Sequence, residues 1–295
     1  MLNQGALSLM VSIGHRTGLF DGMSELPPVD AGKIAIHVGL SERYVREWLG
    51  AMVAGGVVRF DPANDHYHLP KNHAALLCRR SEPDNIAVFA ALDEHILPLI
   101  DGMEGRLSEG IRVLDLGCGR GRALLHLAER FPGSEFVGYE LSHSAVESAR
   151  HEASARGLAN IRFEQRDLTH FDHEADPDDF DLVTAFDAIH DQAAPQRVLD
   201  GIHRTLKPGG SFLMQDIRAS SRLENNLEHP IAPLLYTLST MHCMTVSLAR
   251  DGAGLGTMWG EELAVEMLGK AGFERVEVRQ LEHDFQNNFY VMCKG

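Results

Sequence analysis

The segment Val113-Leu114-Asp115-Leu116-Gly117-Cys118-Gly119-Arg120-Gly121 decides the fold. Ile111 to Leu116 is a largely apolar run and reads as a buried parallel strand. Three glycines at alternate positions follow it. Arg122 to Phe131 then repeats in a helical pattern that puts Leu124, Leu125, Leu127 and Ala128 on one inner face. Strand, glycine turn and helix make the opening unit of a nucleotide-binding α/β domain. Glycine is needed at the turn because a Cβ would keep a ligand from the backbone.

The details of the turn separate two cofactor chemistries. A dinucleotide fingerprint spaces its glycines G-x-G-x-x-G, whereas Gly117, Gly119 and Gly121 are spaced G-x-G-x-G. Asp115, at the strand end, would repel a pyrophosphate but suits the ammonium group of an amino acid. This D-x-G-x-G-x-G segment resembles motif I of the class I S-adenosylmethionine-dependent methyltransferases. The resemblance implies that Gly117, Cys118 and Gly119 cradle the cofactor.

Downstream segments fall in the order that the family uses. The second strand, Glu135 to Tyr139, ends at Glu140, 19 residues after Gly121. A carboxylate at that strand tip can accept both ribose hydroxyls, with Leu141 beside it. Ser142 is placed to cap the helix that runs to Gly157. The third strand, Asn160 to Glu164, leads to Asp167 and Leu168. The resemblance assigns these two to the adenine amine and the adenine ring. The fourth strand, Asp181 to Ala185, delivers Phe186-Asp187-Ala188-Ile189-His190-Asp191 to the carboxyl edge of the sheet, with Phe186 and Asp187 at the cofactor. Lys207-Pro208-Gly209-Gly210 before an apolar strand, Ser211 to Asp216, is a further family mark. Glu261 to Ala271 reads as a helix, and Arg275 to Arg279 with Asn288 to Met292 as an antiparallel final pair.

The N-terminal part has a different organisation. Residues 2–20 read as a helix ending near Gly18, Asp30 caps a helix through Val38, and Gly39 stops it. Ser41 is the next N-cap candidate. After it, Val45, Trp48, Leu49, Met52 and Val53 form an amphipathic stripe ended by Gly55-Gly56. Val57 to Phe60 and His66 to Leu69 make a β-hairpin, which completes a winged-helix arrangement. Two roles fit it: a DNA-binding regulator, or a dimerisation and lid module as in plant-type small-molecule O-methyltransferases. Residues 1–90 hold eight Lys/Arg against nine Asp/Glu, and Glu42 and Glu47 lie on the would-be recognition helix, which favours dimerisation. His66, His68, His73 and Cys78 show no ligand spacing and read as solvated wing and loop residues.

Composition sets outer limits. The 295 residues allow one large and one small domain, and a net charge of −15 argues against general nucleic-acid binding. Four cysteines without paired or metal-type spacing suit a reducing cytoplasm. The apolar run Leu7 to Ile13 is too short to span a membrane and lacks the basic flank of a signal peptide. Residues 71–110 read as helical segments, with Asp93 to Met103 a helix bent at Pro98.

Over nearly its whole length the chain is similar to bacterial winged-helix-containing class I methyltransferases. The shared phrases are Ser12-Ile13-Gly14-His15-Arg16, Tyr44-Val45-Arg46-Glu47-Trp48-Leu49, Phe186 to Asp191 and Met241-His242-Cys243-Met244-Thr245. Members of that group carry a further helical segment between the Phe89 and Ile96 regions, whereas Phe89-Ala90-Ala91-Leu92 runs straight through here. The segment Tyr236 to Trp259 is expected to cover an acceptor pocket, with Tyr236, Trp259 and the thioethers as an apolar wall and His242 or Cys243 as a polar contact.

The expected architecture is α/β: a Rossmann-like class I methyltransferase sheet of seven strands, the last pair antiparallel, preceded by a winged-helix domain. The expected divisions are 1–80 (winged helix), 81–110 (helical linker) and 111–295 (cofactor-binding domain). The expected activity is methyl transfer from S-adenosyl-L-methionine to a small molecule at oxygen. The His190-Asp191 pair matches the general base of the O-methyltransferases, with a histidine pKa near 6.5 suited to the task, and His242 is a further candidate catalytic residue. The expected partners are the methyl acceptor and a second copy of the chain, without a resident metal, a membrane or nucleic acid. The alternatives are a transcriptional regulator that senses the cofactor, or methylation at nitrogen, sulfur or a metalloid.

Overall fold

The computed structural model describes residues 2–78, 92–282 and 284–295. The chain divides into two compact units, Met1–Val88 and Phe89–Gly295. Phe89 to Ala91, where the sequence lacks the group's further helical segment, lie outside the described residues.

The first unit is built from α1 (Leu2–Thr17), α2 (Leu19–Glu25), α3 (Ala31–Val38), α4 (Glu42–Ala54), a hairpin of β1 (Arg59–Asp61) and β2 (His66–His68), and α5 (Lys71–Leu77). Gly18, at φ 75°, ends α1 as expected, but the chain turns directly into α2, a helix not expected from the sequence. Asp30 caps α3 by accepting a hydrogen bond from the Lys33 amide at 2.9 Å, which satisfies one of the free amides of the first turn. Ser41 occupies the N-cap position of α4, yet its hydroxyl makes no capping bond, which corrects the expected cap.

Val45, Trp48, Leu49 and Met52 form the buried stripe of α4. Trp48 meets Phe20 edge-on at 5.0 Å and donates its indole N–H to the Met10 carbonyl at 2.8 Å. On the polar side of α4 the cations are matched internally, Arg46 to Glu42 and Arg43 to Glu47. Cys78 donates to the Phe20 carbonyl, and His73 hydrogen-bonds the Val57 carbonyl, so these two side chains serve backbone groups.

The second unit holds a seven-stranded sheet in the order β5-β4-β3-β6-β7-β9-β8. Its strands are β3 (Arg112–Leu116), β4 (Glu135–Glu140), β5 (Ile161–Gln165), β6 (Phe180–Phe186), β7 (Leu206–Ile217), β8 (Glu277–Arg279) and β9 (Asn287–Cys293). The first five pair in parallel, while β9 runs antiparallel to both β7 and β8. Strand alternation divides the core between two faces: Leu114 and Leu116 pack on one side of β3 and Val113 on the other. The helix Arg122–Arg130 buries Leu124, Leu125, Leu127 and Ala128, the face read from its periodicity. Gly121 starts that helix at φ 71°, where a Cβ would stand 2.2 Å from the Phe163 ring. Only glycine lets the helix approach the sheet so closely.

Two expectations change. Asp93 to Met103 is not a helix bent at Pro98; it is a wide turn (Leu92–Ile96) and a tight one (Leu97–Leu99), and the helix begins at Met103 and runs to Glu109. Pro98 sits inside the tight turn, where its fixed φ is tolerated. Trp259 does not wall a pocket either: it is buried in the core on one face of the sheet, while Tyr236 and Met241 are exposed. Among the described residues, no helix is long and apolar enough to cross a membrane.

Candidate active site

The strand order reverses at β3, whose neighbours are β4 on one side and β6 on the other. In open α/β sheets ligands bind at this switch point, beyond the carboxyl ends of the strands. A cleft of ≈ 390 Å³ lies there, inside the range of about 300–1,000 Å³ typical of small-molecule sites. Gly117, Glu140, Leu141, Asp167, Leu168 and Asp187 line it, together with Asp191 and His242. Four strand ends and the late helical segment thus converge on one space.

The other expected cofactor residues, Asp115, Cys118, Gly119 and Phe186, are not among those that line the cleft. Asp115 is buried and accepts a hydrogen bond from the Thr184 hydroxyl at 2.7 Å. Its burial pushes its pKa up to about 7, against the Thr184 bond that lowers it. Burial, reinforced by the Asp115 and Glu140 carboxylates, also pushes the Cys118 thiol up, so it is protonated at neutral pH. Phe186 packs against one face of the sheet core. Gly119, at φ 56°, donates its amide to Glu140 Oε2 at 2.9 Å, and a Cβ there would point into open space.

Glu140 is held at both ends, since Oε1 accepts the Ser142 amide at 2.8 Å. Each oxygen retains acceptor capacity toward the cleft. Asp167 accepts the amide and hydroxyl of Thr169 on one oxygen, which keeps its carboxylate below the ordinary range. Asp187 is open to the cleft yet flanked by protein, and it adopts φ 50°. Enclosure and the Asp216 carboxylate raise it to about 7, against the His190 ring and the Gln215 amide, which donates to it at 3.0 Å.

His190 departs most from expectation. It is buried, with Nδ1 2.8 Å from Asp216 Oδ1 and Nε2 3.3 Å from Asp191 Oδ1. Burial opposes a charge on the ring, but Asp216, Cys243 and Asp191 outweigh it and raise its pKa to about 11. The ring is therefore an imidazolium at neutral pH, and the ordinary value near 6.5 does not apply. His242, by contrast, is exposed on the cleft.

Residues that the sequence reading did not assign complete the lining. Arg166 stacks over the Tyr139 ring at 4.7 Å, and both face the cleft with Gln192, Val246 and Arg250. Asp216 had one legible signal: it is an acid that ends an apolar strand.

A parallel sheet with an antiparallel final pair, opening on a glycine turn and a strand-tip carboxylate, defines a class I methyltransferase-type domain. Residues 107–272 match the family model described as a methyltransferase domain, and the chain belongs to that family. Residues 5–79 match the model of the Rv2258c-like winged HTH domain. Among curated relatives, the sterol 24-C-methyltransferase ERG6A of Gibberella zeae is 30% identical over 173 residues, 58% of this chain and 43% of that protein. The malonyl-[acyl-carrier protein] O-methyltransferase of a Paenibacillus species is 27% identical over 181 residues, 61% and 60% of the two chains. The chain spans 43% and 56% of two sterol methyltransferases that it matches, so the likeness to them is one of domains. Two solved structures share the fold across both units: the mitomycin 7-O-methyltransferase MmcR (TM-score 0.68, 19% identity, 100% and 96% covered) and human N-acetylserotonin methyltransferase in complex with SAM (TM-score 0.68, 16% identity, 100% and 95% covered).

Proposed function

We propose that the protein is an S-adenosylmethionine-dependent methyltransferase that methylates a small molecule at oxygen. The observation that carries this reading is the convergence of Gly117, Glu140, Asp167, Leu168 and Asp187 on one cleft in a methyltransferase-family domain. The donor set fits the cofactor. Glu140 would hold the ribose diol, Asp167 and Leu168 the adenine, and Asp187 with the buried Asp115 the ammonium end. The open space beside Gly119 leaves the backbone approachable. When bound, the cofactor supplies an electrophilic methyl group on a sulfonium.

The chain's own contribution is to orient the acceptor, exclude water and take a proton. His242, an exposed imidazole on the cleft, takes the hydroxyl proton. His190 and Asp191, the matched pair, set the charge and shape of the cleft wall, because His190 already carries its proton. Residues 1–80 form a dimerisation module and residues 111–295 the catalytic domain, working in the cytoplasm; the stretch 81–110 joins them, and from Leu92 onward it packs into the core of the catalytic unit. The internal pairing of Arg43 and Arg46 on α4 supports dimerisation over DNA binding.

The test is calorimetric titration with S-adenosylmethionine and S-adenosylhomocysteine, followed by a screen of phenols and carboxylic acids as acceptors. Binding that is lost in Glu140→Ala supports the reading; an intact protein that binds neither compound overturns it.

A further inference from the structure

We propose that His190 Nε2, Asp191 Oδ1 and Cys243 Sγ form a three-ligand site for a divalent transition-metal cation of the zinc type at the wall of the cleft. These three atoms lie within 4.8 Å of one another, and they are the only such group among the described residues. The three residues come from two separate stretches of chain: the segment after β6, and a wide helical turn (Ser239–Cys243) in the late insertion. Wide turns of this kind often sit at functional sites in helices.

The geometry suits a tetrahedral ion. Zinc bonds of about 2.0–2.1 Å to nitrogen and oxygen place two such ligands roughly 3.3 Å apart. His190 Nε2 and Asp191 Oδ1 are 3.3 Å apart. Asp191 Oδ1 is shut off from solvent, lies 3.3 Å from the charged His190 ring without a hydrogen bond, and would be satisfied by a metal ion that takes the place of the Nε2 proton. Cys243 is buried, and its sulfur accepts a hydrogen bond from the Thr257 hydroxyl at 3.1 Å, the arrangement expected around a thiolate ligand.

A second shell is already in place. Asp216 is fully buried and faces His190 Nδ1 at 2.8 Å, which fixes that nitrogen as the N–H donor and leaves Nε2 as the metal ligand. Binding displaces the proton on Nε2 and that on the thiol, both released to solvent. A nitrogen, oxygen and sulfur set selects zinc-like ions over magnesium and calcium, which take oxygen ligands. This site does not depend on methyl transfer.

The test uses the full-length chain treated with chelator, titrated with Co²⁺ and then with Zn²⁺. The expected result is one Co²⁺ per chain with a thiolate-to-metal charge-transfer band, bleached by Zn²⁺ and unaffected by excess Mg²⁺. Cys243→Ser abolishes the band and Asp191→Asn weakens binding at least tenfold. Because these variants alter a buried region, Asp216→Asn serves as a near-isosteric check and lowers affinity about 10–100-fold. Absence of a charge-transfer band in the intact protein, or binding that survives Cys243→Ser unchanged, overturns the proposal.

Discussion

His190 Nδ1 lies 2.8 Å from Asp216 Oδ1, and both side chains are closed to solvent. A buried pair of this kind costs little when complete and much when one partner is removed. Asp216→Ala leaves the imidazolium without its main counter-charge. The expected loss is about 3–5 kcal/mol of unfolding free energy, read as a lower denaturation midpoint in urea. Replacing both residues with apolar ones of similar size should restore part of that loss. An Asp216→Ala variant as stable as the parent would mean that the pair is not formed.

The carboxyl groups near the cleft give the pH dependence. Asp187, with a pKa raised to about 7, is neutral below that pH and anionic above it. The charges that face it are those of Asp216, His190 and Asp284. A ligand ammonium favours the ionised form. Affinity for S-adenosylmethionine should therefore fall about tenfold for each pH unit below 7 and level off above it. Asp187→Asn should flatten this profile between pH 5.5 and 7, as measured by titration calorimetry at each pH; an unchanged slope would reassign the effect to another group such as Asp115.

The two histidines should separate kinetically. His242→Ala is expected to lower kcat by roughly two to four decades on a hydroxyl acceptor, with rescue by raised pH when the acceptor ionises on its own. In His190→Gln that rescue should be absent, because its ring does not take the proton. Equal rescue in both variants would return the base role to His190.

Gly121 tests the fold near the site. An alanine there meets the Phe163 ring in a backbone conformation that disfavours a side chain. Gly121→Ala should cost about 2–4 kcal/mol, the sum of strain and overpacking, and weaken cofactor binding through the displaced helix. Thermal melts with and without ligand measure both effects.

Much of this was legible in the sequence because the relevant signals are local. The Val113 to Gly121 segment encodes its own strand, turn and helix, and the buried face of Arg122–Arg130 follows from its periodicity. Glu140 and Asp167 end strands whose order can be read from their spacing, and the structure brings both to one cleft. What escaped is set by tertiary packing. The His190 charge depends on Asp216 and Cys243, which are 26 and 53 residues away, and no spacing rule joins them. Leu92 to Leu99 has helical periodicity but forms two turns instead, since Ile96, Leu97 and Ile100 are drawn into the sheet's core from an irregular backbone. Trp259 is expected in a pocket wall because it ends the segment, Tyr236 to Trp259, expected to cover the acceptor; burial against the sheet decides otherwise.

The most direct test of the central claim is calorimetry of the intact chain and of Glu140→Ala with S-adenosylmethionine at pH 8. One site per chain with micromolar affinity is expected in the parent, and a loss of at least tenfold in the variant. Glu140 would then act on the ribose from the tip of β4. No heat of binding in the parent, or equal binding in both proteins, would contradict the cleft as the cofactor site.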